Sequence, residues 1–225
     1  MNSKINISID GHAGCGKGTL AKHLAKSLNY SYFDTGAIYR ALALLMMNNK
    51  LGFTENFNYL NKIKIEFKYN ETNDFFELYI NDELAEYLIK TDAVSKKASE
   101  ISKTNEVNNF VTNLLQKIAS EKGNVVFGRD TGTKVLPNAE LKIYMITNPE
   151  VRAKRVFEEL KNKNINISYD EVLRNIKEND IWDLTNAVSP IVKADDSIIL
   201  DNTNMTKEEQ GKLALTWAKG VISAL

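Results

Sequence analysis

The segment Gly11-His12-Ala13-Gly14-Cys15-Gly16-Lys17-Gly18-Thr19 decides the fold, because it joins a predicted strand to a predicted helix. Residues 5–9, just before it, alternate isoleucine with polar residues, which is typical of a β-strand. After it, leucines recur every fourth residue from position 20 to 28, which predicts a helix over about 16–28. The glycine spacing fits G-x-x-x-x-G-K, the pattern of a phosphate-binding loop.

This loop has the chemistry that binds the phosphates of a nucleoside triphosphate. Its glycines let backbone N–H groups turn inward around an anion, the helix N-terminus adds partial positive charge, and Lys17 supplies a point charge. A strand-to-helix turn without a ligand is the alternative, and the flanking elements and the lysine favour binding. Gly18 stands where the GTPase and ATPase pattern has Ser or Thr, and the hydroxyl comes at Thr19. No Asn-Lys-x-Asp guanine motif occurs, which argues against a GTPase.

Composition excludes several classes of protein. A chain of 225 residues has room for one compact domain with appendages or for two small domains. Its basic and acidic residues both number 29, which argues against a general nucleic-acid or membrane-surface binder. Cys15 is the one cysteine, so there is no disulfide framework. The longest apolar run, 41–47, is far shorter than the ~20 residues of a membrane span. We expect a cytoplasmic globular protein.

Strand and helix patterns alternate along the chain, which predicts an α/β fold. An antiparallel hairpin interrupts this alternation near residues 63–88. Helix patterns occur at about 37–47, 92–121, 149–162, 168–180 and from 207 to the end, with Thr206 as the expected N-cap of the last. Core strands are predicted at 5–9, 30–33, 124–127, 141–146 and 197–200, and we expect one five-stranded parallel sheet flanked by helices.

Four segments together resemble a known family. They are IDGHAGCGKGT at 9–19, YFDTGAIYRALAL at 32–44, GRDTGT at 128–133 and KADDSIILDNT at 193–203. In order and spacing they are similar to the bacterial-type cytidylate kinases, a group of P-loop nucleoside monophosphate kinases. The resemblance implies one kinase unit over 1–225, with a P-loop NTPase-type core at 1–36 and 122–225. It also implies a small inserted NMP-binding region at about 37–121 that contains the hairpin, and a short lid at about 150–166.

The resemblance also implies an activity. A cytidylate kinase transfers a phosphoryl group from ATP directly and in line to CMP or dCMP, giving the diphosphate. ATP with Mg²⁺ is the expected cofactor, bound by residues 11–19, and no metal-ligating side chain is assigned. The expected partners are these small molecules, with no nucleic acid and no membrane, and the expected state is a monomer.

Residues for the acceptor phosphate follow from the same resemblance. Thr35 and Arg40 are expected to hold that phosphate, although an arginine at position 40 could also be a surface residue of an amphipathic helix. Arg129 and Asp130 come just after a core strand, where α/β sheets place ligands. The resemblance implies that Arg129 holds phosphate there and Asp130 a ribose hydroxyl. A structural salt bridge is the alternative for this pair.

The lid residues are Arg152 and Arg155, three positions apart on one face of a predicted helix. The resemblance implies that such a lid closes basic side chains over ATP and keeps water from taking the phosphoryl group. A solvated charged face is the alternative. The expected catalytic residues are therefore Lys17, Arg129, Asp130, Arg152 and Arg155.

The site for the cytosine base departs from the family pattern. Ser99 and Asp183 match two positions that read cytosine in the family. This chain differs from the family at four other positions. The family has Arg where this chain has Asn108, Asn179 and Asn186, and an acidic residue where it has Phe127. Asparagine offers a donor and an acceptor to a base edge but brings no charge to a phosphate. The strength of cytosine specificity is therefore left open.

Two alternatives to a cytidylate kinase stay open on the sequence. A kinase of another nucleoside monophosphate or of a small acceptor would keep the loop and the lid and change the base site, as the asparagines would allow. A catalytically impaired, nucleotide-binding homologue would keep the loop but would need none of Arg40, Arg129 and Arg152, which are all present.

Overall fold

Strands and helices alternate along the chain in the computed structural model, which describes residues 3–48, 63–162, 164–185 and 190–225. The first half contains β1 (Asn6–Gly11), α1 (Lys17–Leu28), β2 (Ser31–Asp34), α2 (Thr35–Asn48), β3 (Ile65–Asn70), β4 (Phe75–Ile80), β5 (Glu83–Leu84), α3 (Asp92–Ile101) and α4 (Asn105–Ala119). The second half contains β6 (Asn124–Gly128), β7 (Leu141–Ile146), α5 (Pro149–Asn162), α6 (Tyr169–Thr185), β8 (Ile198–Asp201) and α7 (Lys207–Ser223). Short helical turns lie at Leu88–Lys90 and Thr131–Val135.

The central sheet has five parallel strands in the order β2-β6-β1-β7-β8. Strand β1 lies in the middle, where Ile7 pairs with Val125 of β6 and Leu141 of β7. All six residues of β1 are buried, the polar ones included, because both faces of the strand are covered. The predicted α/β fold with a five-stranded parallel sheet is confirmed.

Two apolar cores lie on the two faces of this sheet. Successive residues of β6 point to opposite faces, so Val126 joins one core while Val125 and Phe127 join the other. Residues of α1 and α7 pack in the core that contains Val125, and residues of α2 and α4 pack in the core that contains Val126. The helical layers therefore hold the sheet between them and leave its carboxyl edge to the loops.

The hairpin predicted near 63–88 is present as β3 and β4, which pair antiparallel, and β5 adds a short third strand. The ring of Tyr32 on β2 stacks on Phe76 of β4 at a centroid distance of 4.4 Å and meets Phe67 of β3 edge-on. These aromatic contacts fasten the small sheet to the edge of the large one. The division of the chain into a core, an NMP-binding region and a lid stays a prediction.

The single helix predicted over 92–121 was wrong, because residues 102–104 divide it into α3 and α4. Asn108 causes part of this break, since its side-chain amide donates to the carbonyl oxygens of Ser102 (2.7 Å) and Thr104 (2.9 Å). Thr104 also donates its hydroxyl to the carbonyl of Ile101 at 2.8 Å. Side-chain bonds of this kind compete with the helical backbone pattern, and periodicity alone does not reveal them.

Helix α6 runs to Thr185, five residues beyond its predicted end.

In the part of the chain that the structure describes, none of the helices combines the length and the apolar character that crossing a bilayer requires.

The N-cap predicted at Thr206 closes a full capping box at the start of α7, in which Thr206 and Glu209 exchange hydrogen bonds. We expect Thr206→Ala to lower the free energy of unfolding by about 1 kcal/mol, because a backbone N–H of the first turn loses its acceptor. Urea unfolding followed by circular dichroism measures this. Thr216→Ala, within the same helix, is the control and should have less effect. Equal losses for both variants would contradict the assigned cap.

Candidate active site

The phosphate-binding loop leaves the carboxyl end of β1 and has the backbone that its glycines predict. Gly11, Gly14 and Gly16 have φ angles of +147°, +76° and +96°, which side-chain-bearing residues rarely adopt. A Cβ at Gly11 would also lie 2.4 Å from the carbonyl oxygen of Met145, so glycine is required there for a second reason. Helix α1 begins at Lys17, which places the positive end of the helix at the loop.

Lys17 folds back over this loop. Its Nζ donates to the carbonyl oxygens of Gly11 (2.5 Å) and His12 (2.8 Å). The ammonium group is therefore held at the loop by backbone oxygens, where a bound anion would meet it.

A cavity of about 630 Å³ opens beside the loop. Its walls come from the loop, α1, α5 and the start of α7, and they include Gly14, Gly16, Thr19 and Arg155. The Arg155 guanidinium donates to the backbone oxygen of Asn202 at 3.0 Å. This cavity, which we call the loop cavity, therefore brings together predicted loop residues and one predicted lid arginine.

Asn202 was not assigned from the sequence, although it lies within the quoted 193–203 segment. It is buried, and its side-chain amide donates to the backbone oxygen of Cys15 (2.8 Å) and to Oε1 of Gln210 (2.6 Å). Cys15 is itself buried. Asn202 thus fixes the backbone of the loop to the end of β8.

A second cavity, of about 490 Å³, lies among α2, α3, α6 and the loop after β6. We call it the acceptor cavity. It brings together three of the predicted acceptor residues, namely Arg40, Ser99 and Arg129. The other lining residues are Gly36, Tyr39, Ser95, Ala98, Ser102, Asn179 and Trp182. A smaller cavity of about 70 Å³ beside it includes Thr35 and Asp130.

Close packing at the ends of β2 and β6 positions the arginines. A Cβ at Gly128 would lie 2.3 Å from Oγ1 of Thr35, so glycine at the end of β6 lets α2 approach. Arg40 faces Asp34 with an Nη2–Oδ2 distance of 3.4 Å, and both side chains are partly exposed. This long, exposed contact orients Arg40 and leaves it open to a stronger anion.

Asp183 lies under Arg129, with 2.6 Å between Oδ1 and Nε. Its side chain is fully buried and lines neither the acceptor cavity nor its smaller neighbour. Burial would raise the pKa of the Asp183 carboxyl, but contacts with His12 and Arg129 outweigh burial and lower that pKa below its usual value. The geometry assigns Asp183 to the support of Arg129, and its contact with cytosine stays a prediction.

Asp10, the last residue before Gly11, is a site residue that sequence reasoning missed. Its buried carboxylate accepts from the backbone N–H of Thr131 (2.8 Å), the hydroxyl of Thr131 (2.5 Å) and the backbone N–H of Gly132 (2.7 Å). Burial raises the pKa of the Asp10 carboxyl, and these hydrogen bonds act against the rise. Asp10 thereby joins the phosphate-loop strand to the loop that carries Arg129.

Comparison with known proteins places this site in a family. The model of the family described as cytidylate kinase matches residues 7–218. The chain belongs to the cytidylate kinase family. A curated cytidylate kinase of Flavobacterium johnsoniae is 44% identical over 225 residues, which covers 97% of this chain and 98% of that protein. The cytidylate kinase of Caldicellulosiruptor saccharolyticus is 41% identical over 209 residues, with 92% of each chain covered. The resemblance drawn from the four motifs is confirmed.

Solved structures agree at the level of the fold. A gluconokinase from Sinorhizobium meliloti superposes with a TM-score of 0.52 at 11% identity, covering 100% of this chain and 97% of its own. An uncharacterised protein from Eubacterium ventriosum gives a TM-score of 0.51 at 15% identity, covering 97% of this chain and 99% of its own. At such identities the likeness shows the fold alone.

Arg152 does not reach over the loop cavity as a free lid side chain. It is buried, and its guanidinium makes a two-pronged bond to Asp180, with distances of 2.8 and 2.5 Å. It also donates to the carbonyl oxygens of Ala13 (3.0 Å) and Thr147 (3.1 Å). In this cytidylate kinase family member, Arg152 therefore braces the outside of the phosphate loop, and its part in transfer stays a prediction.

Two of the residues that depart from the family pattern, Asn108 and Phe127, have structural partners. Asn108 accepts from the hydroxyl of Tyr39 at 2.6 Å and donates to two backbone carbonyls, so its amide is engaged within the protein. Phe127 is buried, with its ring 5.2 Å from that of Tyr32. Asn179 lines the acceptor cavity, and Asn186 lies outside the described residues. Asn108 also lines the smaller cavity, and whether its amide meets a base stays a prediction.

Asp10→Asn tests the link between the two loops. We expect the free energy of unfolding to fall by about 2 kcal/mol, because the new amide NH₂ would face the buried N–H of Gly132. Turnover should also fall, since the loop carrying Arg129 loses its anchor. Denaturant unfolding and steady-state kinetics measure the two effects. Asp201→Asn, an exposed carboxylate at the end of β8, serves as the control, and unchanged stability of Asp10→Asn would refute the link.

Proposed function

We propose that this chain transfers the γ-phosphoryl group of ATP to CMP, and to dCMP, by direct in-line displacement. The observation that supports this most is the convergence of three phosphate-binding segments at one edge of the sheet. The phosphate loop follows β1, Arg40 follows β2 and Arg129 follows β6, and these three strands are neighbours in the sheet. Parallel α/β sheets bind ligands at this carboxyl edge.

Each charged group has a role in this proposal. Lys17 and the loop amides hold the β- and γ-phosphates of ATP, while Arg40 and Arg129 hold the phosphate of CMP. Asp183 faces Nε of Arg129, so the terminal nitrogens are the part of the guanidinium proposed to meet that phosphate. Phosphoryl transfer requires mainly positioning and neutralisation of charge, which these groups supply without covalent chemistry.

Magnesium is proposed to enter with ATP. Among the described residues there is no cluster of three or more His, Cys, Asp or Glu side chains that could hold a metal ion. Mg²⁺ is usually bound by substrate phosphates, water and few protein groups. Thr19 lines the loop cavity, and its hydroxyl is the protein group proposed to face the ion. When bound, Mg²⁺ neutralises charge on the phosphates.

The remaining expectations concern the acceptor, the oligomeric state and the location of the protein. The relatives give no support for another acceptor or for an impaired, non-catalytic homologue. Preference between CMP and dCMP, the monomeric state and the cytoplasmic location stay predictions. A coupled assay with ATP and CMP, dCMP, UMP, AMP or GMP tests the proposal directly, and CMP should give the highest kcat/KM.

Lys17→Met should lower turnover by a factor on the order of 10² or more while the fold survives, because a preorganised charge on the transferring group is lost. The coupled assay measures turnover, and circular dichroism checks the fold. Lys22→Met is the control on the same helix, since Lys22 pairs with Asp74 at the surface. Near-normal turnover in a folded Lys17→Met protein would sink the assignment of the phosphate loop.

Arg129→Ala should raise KM for CMP and lower kcat, with KM for ATP little changed, because Arg129 lines the acceptor cavity and not the loop cavity.

Asp183→Asn should also raise KM for the acceptor and lower kcat, but less than Arg129→Ala does, if Asp183 acts by holding Arg129. Both changes should then be equal for CMP and UMP. Steady-state kinetics with each acceptor separates the roles. A loss confined to CMP would show instead that Asp183 reads the cytosine amino group.

A further inference from the structure

Trp182 is a prominent feature of the acceptor cavity that the family motifs do not assign. It lies on α6 next to Asp183 and lines both the 490 Å³ cavity and its smaller neighbour. Its ring is partly exposed and provides the broadest apolar surface of that wall, which otherwise consists mainly of small and polar residues. Aromatic rings in such positions stack on nucleobases, because every base presents a π-face.

Two polar side chains near this cavity, those of Asn108 and Asp183, are engaged within the protein. The side-chain amide of Asn108 accepts a hydrogen bond from Tyr39 and donates to two backbone carbonyls at the corner between α3 and α4. Asp183 is buried under Arg129 and does not line the cavity. The uncharged polar side chains that line the cavity with Trp182 are Tyr39, Ser95, Ser99, Ser102 and Asn179, and the charged ones are Arg40 and Arg129.

A cation lies over the face of the Trp182 ring. Nζ of Lys103, at the corner between α3 and α4, lies 5.9 Å from the ring centroid. A contact of this kind attracts the ammonium group to the ring face and holds α6 against the acceptor region. The ring is therefore held at the cavity wall by a contact that uses no group needed for the phosphate.

We propose that Trp182 is the stacking platform for the base of the acceptor nucleotide, with Arg40 and Arg129 holding its phosphate. The inference rests on the proposed function and names a further binding residue of its acceptor site. Stacking is tolerant of base identity, so it adds affinity for any base and leaves the choice among bases to hydrogen bonds. Binding of CMP and binding of UMP should therefore both depend on the ring.

Binding measurements test the ring without relying on turnover. Tryptophan occurs at positions 182 and 217, so a Trp217→Phe protein reports on Trp182 alone. CMP should quench its fluorescence. Trp182→Leu, in the otherwise unchanged chain, should raise the Kd for CMP and for UMP about tenfold by calorimetry, and Trp182→Phe should restore most of the affinity.

Ribose 5-phosphate is the matched control ligand, because it has the phosphate and the sugar but no base. Its affinity, measured by competition, should be unchanged in Trp182→Leu. Equal weakening for CMP and ribose 5-phosphate would show that Trp182 supports the cavity wall and would overturn the stacking role. An unchanged Kd for CMP, or fluorescence that does not respond to CMP, would overturn it as well.

Failure of this inference is distinguishable from failure of the proposed function. ATP-dependent turnover of CMP by the unsubstituted chain tests the function, and its absence would refute that function. Turnover that is present while Trp182→Leu binds CMP normally refutes the stacking role alone.

Discussion

One buried carboxylate, that of Asp10, holds the two halves of the site together. The phosphate loop begins at the residue after it, and the loop that carries Arg129 donates three hydrogen bonds to it. Burying a carboxylate is unfavourable unless its oxygens find donors, and here they find two backbone N–H groups and a hydroxyl. The phosphate loop and the loop that carries Arg129 are therefore joined by these side-chain bonds as well as by the pairing of β1 with β6.

The arginines around the site are held in a related way, each against a carboxylate. Arg40 faces Asp34, Arg129 faces Asp183 and Arg152 grips Asp180. The pairs differ in burial: those of Arg40 and Arg129 have partly exposed guanidinium groups, whereas Arg152 is buried. The partly exposed pair of Arg40 and Asp34 is weak and yields to a phosphate. Arg129 is held at Nε by a fully buried carboxylate while its own side chain stays partly exposed, and the buried, two-pronged pair of Arg152 keeps its geometry. Exposure thus separates the arginines proposed to bind substrate from the one that braces the loop.

Local sequence signals predicted most of the fold, and long-range contacts account for most of what they missed. The phosphate loop, the core strands and the hairpin follow from glycine spacing and alternation within short windows. The break at 102–104 depends on the side chain of Asn108, and the burial of Arg152 depends on Asp180, 28 residues away. The partners of Asp10 are 121 and 122 residues distant. Hydrophobic periodicity does not reveal contacts between residues so far apart in sequence. Asp10 and Asn202 do lie within the segments that carry the family resemblance, and that was the one sequence signal that could have pointed to them.

Arginine is rare in this chain, and most of its arginines lie at the site. Five of the 29 basic residues are Arg, and four of them, at positions 40, 129, 152 and 155, lie at the two cavities or against the phosphate loop. Lys142 shows that lysine serves where one point charge suffices, since it is buried and pairs with Asp196. Arg152 instead reaches both oxygens of Asp180 and two backbone carbonyls at once. A planar fork can satisfy such a set of acceptors and an ammonium group cannot, so lysine could not replace Arg152 without losing these bonds.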